Sequence, residues 1–134
     1  MIELFRSMGV SGSALSAERM RMSVTAANLA NANTPGYRRK EVVLTEQFAD
    51  VLGRASEAGN GVQVSRIAED AAPNRRVYDP SNPSADAEGY VSMPNVDSVT
   101  EMVDLISAQR SYEANVTAMQ TAKQLYSRTL DLLR

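Results

Sequence analysis

From Asp97 to Arg134 the chain carries neither Pro nor Gly, and its apolar residues return three and four positions apart. Val99, Met102, Val103 and Ile106 make a first set; Tyr112, Val116, Met119, Tyr126, Leu130 and Leu133 make a second, the spacing of a helix face. Ser98-Val99-Thr100-Glu101 fits a capping box at the start, with Asp97 able to cap one residue earlier. One helix over this stretch would be about 57 Å long at about 1.5 Å per residue. A compact globule of this size has a radius of gyration of about 14 Å, so the remainder of the chain cannot wrap it. An apolar stripe of that length needs cover from outside the chain. The expectation is a subunit that assembles.

The 134 residues suit one domain, or one core with extended arms. The formal net charge of −2 shows no basic excess of the kind nucleic-acid binding requires. Charge is unevenly placed: residues 1–40 hold six Lys/Arg against two Glu, and residues 41–90 hold four Arg against nine acids. That predicts a basic arm beside an acidic, exposed middle. Cys and His are both absent, which removes disulfides, thiol nucleophiles, His-dependent triads and the usual zinc or copper ligands. Neither a cofactor nor a small-molecule substrate is expected. No run of 18 apolar residues exists to span a membrane, and the first residues lack the pattern of a cleaved secretory signal, so none is expected.

The N-terminal stretch reads as a short amphipathic piece broken at Gly9 and Gly12, followed by a helix from Ser13 to about Asn31. Met8, Leu15, Met22 and Leu29 recur every seven residues, a partner-helix seam whose expected mate is the C-terminal helix, in either orientation. Asn28-Leu29-Ala30-Asn31-Ala32-Asn33-Thr34-Pro35-Gly36-Tyr37 is a dense stop-and-turn signal. Asn31 or Asn33 would close the helix in the left-handed conformation, and Pro35-Gly36 would form a type II turn. In the middle, Glu41–Leu44, Gly61–Ile67, Arg75–Tyr78 and Tyr90–Met93 are predicted strands. Asp79–Gly89, with two prolines, is a loop, and residues 45–58 are expected to be mobile. The fold class is thus mainly α with a small β-rich middle: segment 1–36 is a helical arm, 37–95 holds short strands and loops, and 96–134 is the long helix, the two helices pairing as a coiled coil.

Candidate chemistry is thin. Asp79, Asp86 and Glu88 do not match a calcium-loop spacing and read as solvated loop acids. Arg38-Arg39-Lys40 lacks aromatic interleaving beyond Tyr37, which favours a solvated or subunit-pairing role over phosphate binding. Gly9-Val10-Ser11-Gly12 misses the nucleophile-elbow spacing, and the sequon Asn115-Val116-Thr117 falls inside a helix. Arg110, Tyr112, Glu113 and Asn115 interrupt the apolar stripe, where polar groups can fix register against a neighbour. Ordering costs roughly 1–2 kcal/mol per residue and a fully buried large side chain returns roughly 1.5–3 kcal/mol. With about one residue in three of the long helix large and apolar, the terminal arms are expected to be partly disordered until assembly.

Asn28 to Tyr37 resembles the N-terminal signature of the axial proteins of the bacterial flagellum, the rod, hook and hook-associated proteins. Tyr78-Asp79-Pro80-Ser81-Asn82-Pro83-Ser84-Ala85-Asp86-Ala87-Glu88-Gly89-Tyr90-Val91, Pro94-Asn95-Val96, Glu101-Met102-Val103-Asp104-Leu105-Ile106 and Arg110-Ser111-Tyr112-Glu113-Ala114-Asn115 narrow the resemblance to the rod protein C family. It covers nearly the whole chain apart from residues 45–60. The resemblance implies a structural subunit of the proximal rod, in the basal body, that self-assembles through coiled-coil terminal helices, transmits torque and lines the export channel. It also implies export by the flagellar type III apparatus without a cleaved signal. Implied partners are copies of itself, other rod proteins, and the basal-body ring and export gate.

The seam so implied comprises Leu15, Met22, Leu29, Met102, Ile106, Tyr112, Val116, Met119, Tyr126, Leu130 and Leu133. Asn28, Asn31, Asn33, Thr34, Pro35, Gly36 and Tyr37 form the turn motif, and Arg110, Glu113 and Asn115 set register. A paralogous rod subunit, a soluble helix-binding adaptor and, more remotely, a carboxylate enzyme around Asp79 to Glu88 are the alternatives.

Overall fold

The computed structural model of the chain describes residues 2–47 and 61–132. Two long helices flank two small antiparallel hairpins: α1 (Ile2–Ala30), β1 (Lys40–Gln47), β2 (Gly61–Glu69), β3 (Arg75–Tyr78), β4 (Tyr90–Met93) and α2 (Ser98–Leu132). The expected mobility of residues 45–58 falls mostly outside the described residues, as does Leu133; Thr45 to Gln47 end β1.

α1 runs unbroken through Gly9 and Gly12, against the expectation of a break. Each glycine costs about 1 kcal/mol in a helix interior, which tertiary contact can offset. At Gly12 that contact is close: a Cβ there would lie 3.7 Å from Met119 Cε on α2. The two helices pack antiparallel, with Asn28 meeting Glu101 at one end and Gly12 meeting Met119 further along.

Helix α1 ends without a left-handed asparagine, since no non-glycine residue among those described has positive φ. Instead Asn31 Nδ2 donates to the Ala27 carbonyl at 2.8 Å, satisfying one of the helix's orphan acceptors. Thr34 N donates to Asn31 O, and Tyr37 N to Thr34 O at 3.2 Å. Gly36 supplies the φ of +77° that the type II turn demands. Its N–H then donates to Ser92 O at 2.8 Å, tying the turn to β4.

β1 and β2 pair from Lys40↔Glu69 to Gln47↔Gly61, with a bulge where Val43 faces Arg66 and Leu44 faces Val64. The ribbon packs on α1. There Val62 N donates to Ser13 Oγ at 3.1 Å. Both strands of this hairpin pack along α1, and at its base Lys40, Glu41 and Val42 line one cavity with Asp104 of α2.

The β3–β4 loop is ordered by its own side chains. Asp79 Oδ1 accepts from Ser81, Asn82 Oδ1 from Ser84 N, and Asp86 Oδ1 from Glu88 N and Tyr90 N, three successive Asx-type turns. Gly89, at φ +83°, closes it.

Buried apolar residues are few and small: Ala17, Val24, Val91 and Ala108, against thirteen large hydrophobics left exposed among the described residues. The interior of this fold is held by something else.

Candidate functional site

The most buried large side chains include Glu101 and Asn28, each 1% exposed. Asn28 sits in the last turns of α1, and all its hydrogen-bonding capacity is used. Its Nδ2 donates to Lys40 O at 2.8 Å and Glu101 Oε2 at 3.0 Å. Its Oδ1 accepts from Tyr37 Oη and Lys40 N, both at 2.9 Å. Burial, and secondarily the Glu101 charge, raise the Tyr37 hydroxyl above its usual value, so it stays a neutral donor.

Glu101 takes its second partner from the residue just before β1: Arg39 Nε donates to Glu101 Oε1 at 2.6 Å. Arg39 also reaches Asp70 at 3.4 Å, and lies 3.9 Å from Glu41 and from Asp104. Burial works to lower the Arg39 guanidinium, but the hydrogen bonds and charges of Glu101 and Asp70 outweigh it and hold it above its ordinary value. The Arg39 backbone is clamped as well, with N donating to Asn95 Oδ1 at 3.3 Å and O accepting from Asp70 N at 2.8 Å. One polar junction therefore joins the end of α1, the Pro-Gly turn, the start of β1, the end of β2, the linker before α2 and the first turn of α2. Such a fully satisfied network specifies geometry more than it adds stability.

Glu101 is not a capping-box residue. Asp97 caps α2, its carboxylate accepting from Val99 N at 3.1 Å and Thr100 Oγ1 at 2.8 Å. Those bonds, Thr100's first, lower the Asp97 carboxyl below the usual range. Glu101 is thereby freed to point inward. Sequence reading gave Arg39, with Arg38 and Lys40, a solvated or subunit-pairing role and missed the pair within the chain. One signal was present: Glu101, Leu105, Ala108, Tyr112, Asn115, Met119, Ala122 and Tyr126 are spaced alternately four and three apart, and Glu101 is the one charge in that frame.

That frame is the α1-facing side of α2, and it separates the predicted seam residues. Tyr112, Val116, Met119 and Tyr126 are half-buried on that side. Met102 and Ile106, with Val99 and Val103, lie about 140° around the helix from it at about 100° per residue, and are exposed. Leu125 and Leu130 are exposed too. On α1 the deepest positions are Ala17, Val24 and Asn28; Leu15, Met22 and Leu29 are half-buried beside them.

The polar residues Arg110, Glu113 and Asn115 are not brought together by the fold. Arg110 is exposed; Glu113 accepts from Gln109 Nε2 at 3.0 Å; Asn115 Nδ2 donates to Ser111 O at 2.9 Å. In the turn motif Asn33, Thr34 and Pro35 are exposed, and Thr34 Oγ1 donates to Asn31 Oδ1 at 3.2 Å.

Asp86 and Glu88 pair with Arg76 at 2.7 and 3.2 Å, while Asp79 holds Ser81. Among the described residues no three of these acids converge as metal ligands would. No helix among them is long and apolar enough to cross a membrane.

Two long terminal helices, a signature turn between them and an exposed apolar face define the class of flagellar axial proteins. Residues 8–38 match the family described as Flagella basal body rod protein, and residues 87–132 the one described as Flagellar basal body rod FlgEFG protein C-terminal. The chain is 48% identical to the flagellar basal-body rod protein FlgC of Bacillus subtilis, over 96% of this chain and 97% of that one. It is 44% identical to FlgC of Yersinia enterocolitica and 35% identical to that of Borreliella burgdorferi, over 98% of both chains in each case. The chain belongs to the flagellar basal-body rod protein FlgC family, whose members are structural subunits of the flagellar basal body.

Proposed function

We propose that the chain self-assembles, with copies of itself and other rod proteins, into the proximal rod, transmitting torque and enclosing the export channel. Segments 1–36 and 96–134 supply the axial helices and segment 37–95 the outer layer, with the basal-body ring and export gate as further neighbours. The observation that carries this reading is the exposed face of α2, where Val99, Met102, Val103 and Ile106 are 70, 51, 61 and 52% exposed, while the buried apolar set among the described residues is only Ala17, Val24, Val91 and Ala108. A chain that leaves these apolar side chains in water gains by covering them, at roughly 25 cal/mol per Å². The polar junction supports the mechanical part. It couples both helices to the middle segment through directional bonds, so load on one reaches the others without slip.

The test is complementation of a strain lacking its own copy of the gene. Met102→Asp combined with Ile106→Asp is expected to leave the helical signal of the purified chain unchanged, yet to remove it from isolated basal bodies and abolish swimming. Leu130→Asp should act in the same direction. Normal swimming by the double variant would sink the assignment of this face. Met119→Asp acts differently, because Met119 packs on Gly12 of its own chain.

A further inference from the structure

A groove of about 540 Å³ runs between α1 and the β1–β2 ribbon, lined by Met20, Ala27, Tyr37, Lys40, Ile67 and Glu69 among others. Met20 and Ile67 stand open in it at 39 and 49% exposed. Its apolar length along α1, Met20 to Ala27, is two turns or about 10.5 Å, the same as Val99 to Ile106 on α2. The charges at the rims also correspond. Lys40 and Glu69 face each other across the ribbon. Arg110 flanks the stripe on α2 beside Val103 and Ile106, while Asp104 lies 3.9 Å from its own Arg39. Among the described residues neither Arg110 nor Glu69 has an ion-pair partner within its own chain, and neither is held by a side-chain hydrogen bond.

We propose that the α2 stripe of one copy seats in the α1–ribbon groove of the next, with Arg110 meeting Glu69 across the contact. The proposal rests on the self-assembly reading above and names its interface. The stripe lies about 140° around α2 from its α1-facing side, whereas the groove is built on α1 and the ribbon, so a chain cannot fill its own groove with its own stripe. Joining two different surfaces is a heterologous contact, which propagates as a helical array unless its rotation closes a ring. A stripe-to-stripe contact would instead be isologous, closing as a dimer that leaves the groove empty.

The chain has no cysteine, so disulfide trapping is free of background. Chains carrying Val103→Cys and chains carrying Ile67→Cys, with different tags, are co-expressed in the deletion strain, and basal bodies are isolated and oxidised. A mixed disulfide between the two tags is expected, with no dimer from either variant alone. A Val103→Cys homodimer, or basal bodies containing both chains without the mixed disulfide, overturns the pairing while leaving the rod reading intact. Absence of the unmodified chain from basal bodies overturns both. A charge swap checks the register independently of cysteine geometry. Arg110→Glu and Glu69→Arg singly should each cause loss of swimming-halo expansion, and one chain carrying both should regain it. Failure of the double swap to restore the halo counts against the pairing.

Discussion

Over its first three turns, the two faces of α2 reverse the usual assignment of residue types. Toward α1 the deepest positions hold Glu101 and Ala108; away from it stand Val99, Met102, Val103 and Ile106. A self-sufficient globule does the opposite, because apolar burial is its main source of stability. Here a buried carboxylate and an alanine take the deepest places on the intramolecular side, and Val99, Met102, Val103 and Ile106 are left exposed. The small residues Gly12, Ala17 and Ala108 let the helices approach, and Glu101 with Asn28 sets where along each other they stop. A single buried polar group is a well-attested way to fix helix register.

The comparison predicts opposite responses on the two faces. Removing one partner of a buried ion pair costs about 3–5 kcal/mol, so Arg39→Ala should lower unfolding stability by that order, leaving Glu101 buried with Asn28 alone. Asn28→Ala should cost about 2–3 kcal/mol, since it orphans several groups. Ile106→Ser, on the outer face, should change stability by no more than about 0.5 kcal/mol. Urea unfolding of the three variants checks this, and equal midpoints for Arg39→Ala and Ile106→Ser would break the comparison.

A smaller effect separates the two turn glycines. Both hold positive φ, and an L-residue there costs about 1–2 kcal/mol. At Gly36 a Cβ meets nothing within 4 Å, whereas at Gly89 it would lie 3.0 Å from Tyr78 Cε2 and 3.3 Å from Pro80 Cβ. Gly89→Ala should therefore raise amide exchange across the β3–β4 loop more than Gly36→Ala does in its turn. Equal exchange would mean the tyrosine moves aside freely.

The smallest effect is with acid. Asp97 is lowered by the hydrogen bonds of Thr100 and Val99, and Asp86 chiefly by the Tyr90 amide. A carboxyl held below its unfolded value contributes fully above the usual carboxylate range near about 4, and loses the contribution as pH falls through the lowered folded value. Helicity followed by circular dichroism should thus decline below that range, and less steeply in Asp97→Asn, which keeps a cap but removes the titration. An unchanged acid limb in Asp97→Asn would show that the cap does not titrate with unfolding.

Short-range signals carried most of the fold. The strands at Arg75–Tyr78 and Tyr90–Met93 appear at the predicted bounds, and those at Lys40–Gln47 and Gly61–Glu69 within a few residues, because alternation and flanking turn formers are local properties. The same holds for the Pro35-Gly36 turn, whose φ only glycine supplies cheaply. Gly9 and Gly12 misled for the converse reason: their local cost is real, but α1 is held by α2.

By itself, then, the sequence determined the two long helices, the turn and hairpins between them, and an apolar excess too large for the chain's own interior, since each follows from spacing and residue type. Only the tertiary structure decided which face of α2 turns inward, and that Arg39 and Glu101, far apart in sequence, meet at 2.6 Å. Periodicity defines stripes without saying what covers them. A salt bridge between distant residues depends on how the helices and ribbon pack, and no local pattern encodes that distance.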